Sequence, residues 1–316
     1  MSGCTSRPSP GPDTPTRRIL VIRLSALGNI VQSLGPFAAI RAHHADAEIT
    51  VLTRAPYADW LGGSPYFDRV WIDAAPAWWD PPGWWRLRRR LIDGNFDRVY
   101  DLQTSARSNR YFALLPRRAQ PEWSGIARGC SHPDADPLRD TRHDIERQRG
   151  QLAAAGIATV PDADLGWTGG DLARFTLPER IALLAPGSAP HRPAKRWPVD
   201  RYAALAQALG ARGRLPVVIG GAAERVLGAA LATAGARDLT GQTTLGEVVA
   251  LARRADLAVG NDTGPMHLAA AAGCRSIVLF SRASDPALCA PRGPRVAVLR
   301  RPDLADLAPA EVIEMI

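Results

Sequence analysis

Short apolar runs alternate along this chain with longer stretches whose apolar residues recur at helical spacing. Strands are predicted at 18–23 (RILVIR), 48–52, 69–72 and 98–102, with a short one at 121–123. Between them the spacing predicts helices over 30–44, near 84–93 and over 105–115. Residues 128–145 are polar with little apolar pattern, which reads as a surface loop, and 148–155 reads as a helix. Gly, Asp and Pro accumulate from Pro161 to Pro178, and the alternation then restarts. Strands are expected at 181–185, 215–219, 257–260, 276–280 and 295–299. Helices are expected at 200–211, 222–234, 245–254, 266–272 and 309–315. Such alternation builds βαβ units around parallel sheets, so the fold class is α/β. The expected architecture is two doubly wound, Rossmann-like halves facing each other across a cleft at their strand carboxyl ends. The boundaries read as a tail at 1–17, domains at 18–165 and 179–316, and a linker at 166–178, with the last helix packing back on the first domain.

Composition narrows the classes. At 316 residues, 46% hydrophobic and 22% charged, the chain has the make-up of a soluble globular protein, and no apolar run approaches a membrane span. The Pro-, Ser- and Thr-rich start has no apolar segment, so it reads as a disordered tail rather than a signal peptide. Four scattered cysteines without a C-x-x-C pair indicate neither a zinc site nor a disulfide framework, and a cytoplasmic location follows as the simplest. Net charge is +8, and of 39 basic residues only Lys195 is a lysine. Nine arginines against three aspartates fall between residues 86 and 118, a surface suited to phosphate groups or to a solvated face. Trp78, Trp79, Trp84 and Trp85 flank Asp80-Pro81-Pro82-Gly83 just ahead of Arg86, Arg88, Arg89 and Arg90. This basic amphipathic stretch could lie on an anionic membrane or hold a lipid-linked acceptor; equally, its tryptophans could pack on the sheet.

Two loops carry candidate chemistry. After the strand at 257–260 comes Asn261-Asp262-Thr263-Gly264-Pro265, then a helix whose free N–H groups attract an anion. Thr263 or Gly264 can cap that helix, and Pro265 suits its first turn. After the strand at 181–185 comes PGSAPHRPAKRW, which carries Ser188, Lys195 and Arg196 toward the same sheet edge. A compact ammonium retained in an arginine-writing sequence suits a diphosphate held as by a point charge. There is no P-loop and no G-x-G-x-x-G after a strand, and no nucleic-acid recognition motif.

The segments LAPGSAPHRPAKRWP and AVGNDTGPMHLAAAAG together resemble the lipopolysaccharide heptosyltransferases of glycosyltransferase family 9, as does IRLSALGNIVQSLGP near the start. The resemblance implies a GT-B fold with the acceptor on the N-terminal half and an ADP-sugar on the C-terminal half. It implies inverting heptosyl transfer to a lipopolysaccharide inner core at the inner membrane surface, with no metal or cofactor held by the protein. It implies that Lys195 holds the diphosphate and that Asp262, Thr263 and Gly264 bind the ADP-sugar; Ser188, Arg196 and His267, in the same two loops, are further donor-binding candidates. An anionic glycolipid acceptor would meet Arg86, Arg88, Arg107 and Arg110. The family's first loop ends in a general-base Asp, where this chain has Asn29, and its G-P-T is here Ser281-Arg282-Ala283. An amide cannot take a proton, so Asp101, at the end of the strand RVYDL, is the candidate base; equally, it could cap the helix beginning near Ser105 or pair with Arg107. The alternatives are a catalytically silent nucleotide-sugar binder of the same fold and a transferase for a different sugar and acceptor.

Overall fold

The structure is a computed structural model that describes residues 17–189 and 191–316; most of the expected tail, residues 1–16, lies outside them. The first sheet holds β1 (Arg18–Ile22), β2 (Glu48–Thr53), β3 (Arg69–Ile72), β4 (Arg98–Asp101), β5 (Glu122–Gly125) and β6 (His132–Pro133). Its order is β3-β2-β1-β4-β5-β6, and every pairing is parallel. The second holds β7 (Ile181–Ala185), β8 (Leu215–Val218), β9 (Arg237–Asp238), β10 (Leu257–Asn261), β11 (Ser276–Phe280) and β12 (Val296–Arg300). Its order, β12-β11-β10-β7-β8-β9, is also all parallel and repeats the first sheet's topology strand for strand. In each sheet the order reverses beside the first strand, between β1 and β4 and between β7 and β10. Ligands of open parallel sheets bind outside the strand carboxyl ends at such a reversal.

The central strands read as apolar runs because helices cover both of their faces; β7, β10 and β11 are buried at every residue. The covering helices of the first half are α1 (Leu27–Gln32), α2 (Leu34–His43), α3 (Ala55–Gly62), α4 (Pro81–Asp93), α5 (Ala106–Leu114) and α6 (Asp144–Ala154). Those of the second are α7 (Val199–Ala211), α8 (Arg225–Ala232), α9 (Leu245–Arg254), α10 (Gly264–Ala271), α11 (Pro286–Cys289) and α12 (Pro309–Ile313). One apolar cluster runs from Val21, Leu34 and Phe37 through Leu165 and Phe175 to Val249 and Phe280, and so joins the halves.

Four expectations need correction. The single helix over 30–44 is two helices: Pro36 lacks an N–H and its ring crowds the carbonyl four residues back, so the ladder restarts at Leu34. There the Ser33 hydroxyl donates to Asn29 O at 2.8 Å. Residues 55–62, assigned no element from sequence, form α3 with a proline in its first turn. The stretch 128–145 is no free surface loop: it supplies β6, buries His143 and Asp144, and starts α6 four residues early. Finally, α12 packs on α7 of its own half, with Val312 in that half's core, rather than on the first domain.

Candidate active site

Asn261, the last residue of β10, builds the C-terminal side of the site. It is fully buried, and its Nδ2 donates to Pro186 O at 2.7 Å and Gly187 O at 3.2 Å. Its Oδ1 accepts from Trp197 N at 3.0 Å and the Tyr202 hydroxyl at 3.1 Å. Three of the four bonds bind the two ends of the 186–197 loop to β10 and the fourth ties in Tyr202 of α7, so the lysine inside that loop is brought to the residue after the strand. Lys195 Nζ donates to Asp262 Oδ2 in a tight ion pair, the carboxylate buried and the lysine partly buried. On the other oxygen, Oδ1, His267 Nε2 of α10 stands at 3.8 Å. Burial alone would raise the Asp262 pKa; the adjacent His267 ring and the bonded Lys195 ammonium outweigh it and hold the carboxylate at about 2. The centre therefore presents a carboxylate that stays ionised, its ammonium and an imidazole, at a switch point.

Ser188 is buried and pinned by Arg196, whose Nε donates to its hydroxyl at 3.0 Å and whose Nη2 donates to its carbonyl at 3.1 Å. Arg196 thus shapes the loop through Ser188. Thr263 is the N-cap of α10 with its hydroxyl unused in capping, and Gly264 is the helix's first residue. Ser188, Thr263 and Gly264 line a cavity of about 390 Å³ together with Glu224, Thr243 and Leu245. Gly220 and Gly221 line it too, next to Glu224, whose Oε2 accepts from Gly221 N at 2.7 Å. Sequence reading missed Glu224, at the end of a short 3-10 helix over Ala222–Glu224, and Thr243, in the loop before α9; the Gly220-Gly221 pair was the available signal.

The N-terminal half closes the cavity with Leu27 and Tyr57. It comes this close because two glycines face it: a Cβ on Gly28 would lie 2.7 Å from His267 Cδ2, and one on Gly264 would lie 2.6 Å from Leu27 Cβ. Asn29 follows Gly28 in the first turn of α1, half-buried, with its Nδ2 donating to Ser25 O at 3.3 Å. The Asn29 carbonyl is clamped by Arg23, whose Nε and Nη2 donate at 3.2 and 3.0 Å. Arg23 is itself held by Asp144 at 2.6 Å. Although burial opposes it, the charges of Arg23 and Arg147 lower the Asp144 pKa. From the same side Gln32 Nε2 donates to Cys289 O at 3.3 Å and His143 Nε2 meets Ala290 O at 2.9 Å, fastening α11 over the site.

Asp101 does not project into the cleft. Its exposure is 0%, and its Oδ1 accepts from the backbone N–H of Gln103 at 3.1 Å and Thr104 at 3.0 Å. Burial pushes its pKa up to about 6 despite these bonds. The position that was expected to supply a base is a buried turn cap. Arg107 binds Tyr111 Oη at 2.6 Å and stands 3.4 Å from buried Asp73, and Arg88 donates to Leu114 O at 3.0 Å. Arg86 and Arg110 are exposed with no ion-pair partner among the described residues. Also among the described residues, no group of three His, Cys, Asp or Glu is placed to hold a metal ion.

With this geometry in view, the sequence signature of glycosyltransferase family 9 (heptosyltransferase) matches residues 84–309. The lipopolysaccharide heptosyltransferase 2 of Salmonella typhimurium is 30% identical over 90% of this chain and 88% of its own length. The chain belongs to glycosyltransferase family 9. The structure of Escherichia coli ADP-heptose lipopolysaccharide heptosyltransferase II superposes with a TM-score of 0.75 at 24% identity, covering 94% of this chain and 96% of that one. Escherichia coli heptosyltransferase WaaC with ADP gives 0.72 at 23% identity, covering 94% and 98%. A family 9 protein from Veillonella parvula gives 0.79 at 20%, covering 94% and 95%. The fold of this glycosyltransferase is accordingly GT-B, as the resemblance implied.

Proposed function

We propose that this glycosyltransferase moves a heptose from an ADP-sugar to the inner core of a lipopolysaccharide-type glycolipid, with inversion. The ion pair of Lys195 with Asp262 at the reversal between β7 and β10 carries the reading. It is supported by relatives named for lipopolysaccharide heptose transfer and by a WaaC structure with ADP-2-deoxy-2-fluoro heptose. In this reading residues 179–316 take the donor, 18–165 take the acceptor, and 166–178 link them. The nucleotide lies in the cavity of Ser188, Glu224 and Thr263, and the diphosphate meets Lys195 and the N-terminus of α10.

As the acceptor oxygen bonds to the anomeric carbon and gives up its proton to water, the bond to the diphosphate oxygen breaks and ADP leaves with the electron pair. Fixed positive potential from Lys195 and the α10 N–H groups stabilises that charge. His267 and Lys195 hold Asp262 ionised, which suits it to orienting sugar hydroxyls and makes it a weak base. The Asn29 amide can orient the acceptor hydroxyl through Oδ1 and cannot accept its proton. That substitution favours one second reading, a silent nucleotide-sugar binder. Incubation with ADP-heptose and a heptose-deficient inner-core acceptor, read by mass spectrometry, decides: an acceptor gain of one heptose, absent in Lys195→Ala, supports transfer. Donor binding without any gain supports the silent binder.

A further inference from the structure

Among the described residues the cavity of Ser188, Glu224 and Thr263 has one aromatic wall, and it comes from the first half. Tyr57, in the first turn of α3, is partly buried and lines that cavity together with Thr243 and Leu245. Its place is fixed where the chain crosses between the halves. Trp60, three residues on and so on the same face of α3, donates from Nε1 to Thr168 Oγ1 at 3.0 Å. The Trp60 ring also packs on Trp167, with centroids 5.2 Å apart. From the other side Arg253 of α9 donates to Leu165 O at 2.6 Å and to Thr168 O at 2.8 Å. Backbones meet here too: a Cβ on Gly246 of α9 would lie 2.3 Å from Gly169 O. One stretch of crossover chain thus binds both α3 and the start of α9, so Tyr57 and the residues leading into α9 meet on one cavity.

The order of the second sheet tells which part of a nucleotide reaches that wall. From the loop after β10 to the loops after β8 and β9 the strands step outward as β10, β7, β8 and β9. Three such steps cover roughly 14 Å. A diphosphate on Lys195 and the N-terminus of α10 therefore leaves the nucleoside to extend toward Glu224, Thr243 and Leu245, beside Tyr57. A purine there has a flat face to cover, and aromatic rings cover such faces by stacking. We propose that Tyr57 is the nucleobase platform of the donor site, its ring stacking on the adenine of the ADP-sugar. The first half then contributes to donor binding as well as to acceptor binding. The proposal rests on the donor reading above and adds to it a residue from the opposite half. Because the crossover holds α3 whether or not a donor is bound, the platform is preformed and adds directly to affinity.

The test is calorimetric affinity for ADP and for UDP, which share the ribose diphosphate and differ in the base. Tyr57→Ala is expected to weaken ADP binding by about 5- to 150-fold, the range that loss of one base–aromatic stack produces. UDP, with its smaller ring, should weaken less, so the preference for ADP narrows. Tyr57→Leu keeps apolar bulk against α9, in case the alanine variant does not fold, and should show the same narrowing. Tyr57→Phe keeps the ring and should hold both affinities near the parent's. An ADP affinity unchanged in Tyr57→Ala or in Tyr57→Leu overturns the proposal. So does an equal fold loss for ADP and UDP, which would make Tyr57 a strut of the cavity that does not read the base. A loss in Tyr57→Phe as large as in Tyr57→Leu would assign the effect to the hydroxyl and overturn the platform as well. A parent that binds no ADP would count against the donor reading itself, an outcome distinct from any difference among the Tyr57 variants.

Discussion

In the transfer site proposed above, Lys195 is the donor-side cation and Asn29 the acceptor-side amide, and each makes a separate prediction. Lys195→Ala removes a charge-assisted contact to phosphate worth about 1.5–3 kcal/mol, so ADP affinity measured by calorimetry should fall by roughly 10- to 150-fold. An unchanged affinity would remove Lys195 from the donor site. Without its ammonium, Asp262 loses one of the two partners that hold it near 2, so its pKa should climb back toward the ordinary carboxylate range. For Asn29 the expectation runs the other way. Arg23 already binds the backbone carbonyl at this position, so a carboxylate introduced here meets a nearby positive charge and stays ionised. Asn29→Asp should therefore raise turnover, by up to the ~10²–10⁴-fold that a positioned base contributes. A rate no higher than the parent's would mean that proton removal does not limit this enzyme.

At the scale of elements, α1 is held by two long-range devices that sequence reading missed. Gly28 lets α10 approach, and the Arg23–Asp144 pair ties the loop before α1 to the start of α6, 121 residues away. Asp144→Asn strands a buried guanidinium and should cost on the order of 3–5 kcal/mol, read as a lower urea midpoint. Arg23→Met/Asp144→Leu removes both charges and should recover much of that loss while leaving α1 unclamped and turnover low. Recovery of full turnover in the double variant would show that the clamp only stabilises. Contacts of this kind leave no trace in local periodicity, which is why 128–145 reads as loop. The long strands were legible because burial on both faces writes them as apolar runs, whereas β6 (His-Pro) and β9 (Arg-Asp) are two residues each and carry no pattern. The Lys195 and Asp262 loops were legible because each follows such a run. Asp101 misled because the side chain of a strand's last residue can face the cleft or the sheet's own cover, and periodicity does not say which.

For the whole molecule, that buried carboxyl sets a measurable pH dependence. Burial, with the charges of His43 and Arg98, lowers the His44 pKa to about 4; its Nε2 lies 2.8 Å from Tyr100 Oη. Burial likewise lowers His132 and His143. Each of these imidazoles takes up a proton in the unfolded chain near its ordinary value of about 6.5 while the folded chain stays neutral. Their stabilising contribution is thus full above about pH 6.5 and shrinks as pH falls, because the unfolded state binds more protons. Asp101 has the opposite sign: held at about 6 when folded, against 3.8 ordinarily, it binds its proton first in the folded chain and stabilises it on acidification. Three groups oppose one, so the urea midpoint of the parent should fall from pH 7 to pH 5, with Asp101 blunting the fall. Asp101→Asn keeps the shape, removes a buried charge, and should raise the midpoint at pH 7 and steepen its fall toward pH 5. His44→Gln should flatten it. Since Asp101 has no open path to an acceptor, Asp101→Asn should also keep turnover within a few-fold of the parent. A loss of 100-fold or more with the fold intact would return Asp101 to the role of base and require the cleft to open around β4 during catalysis.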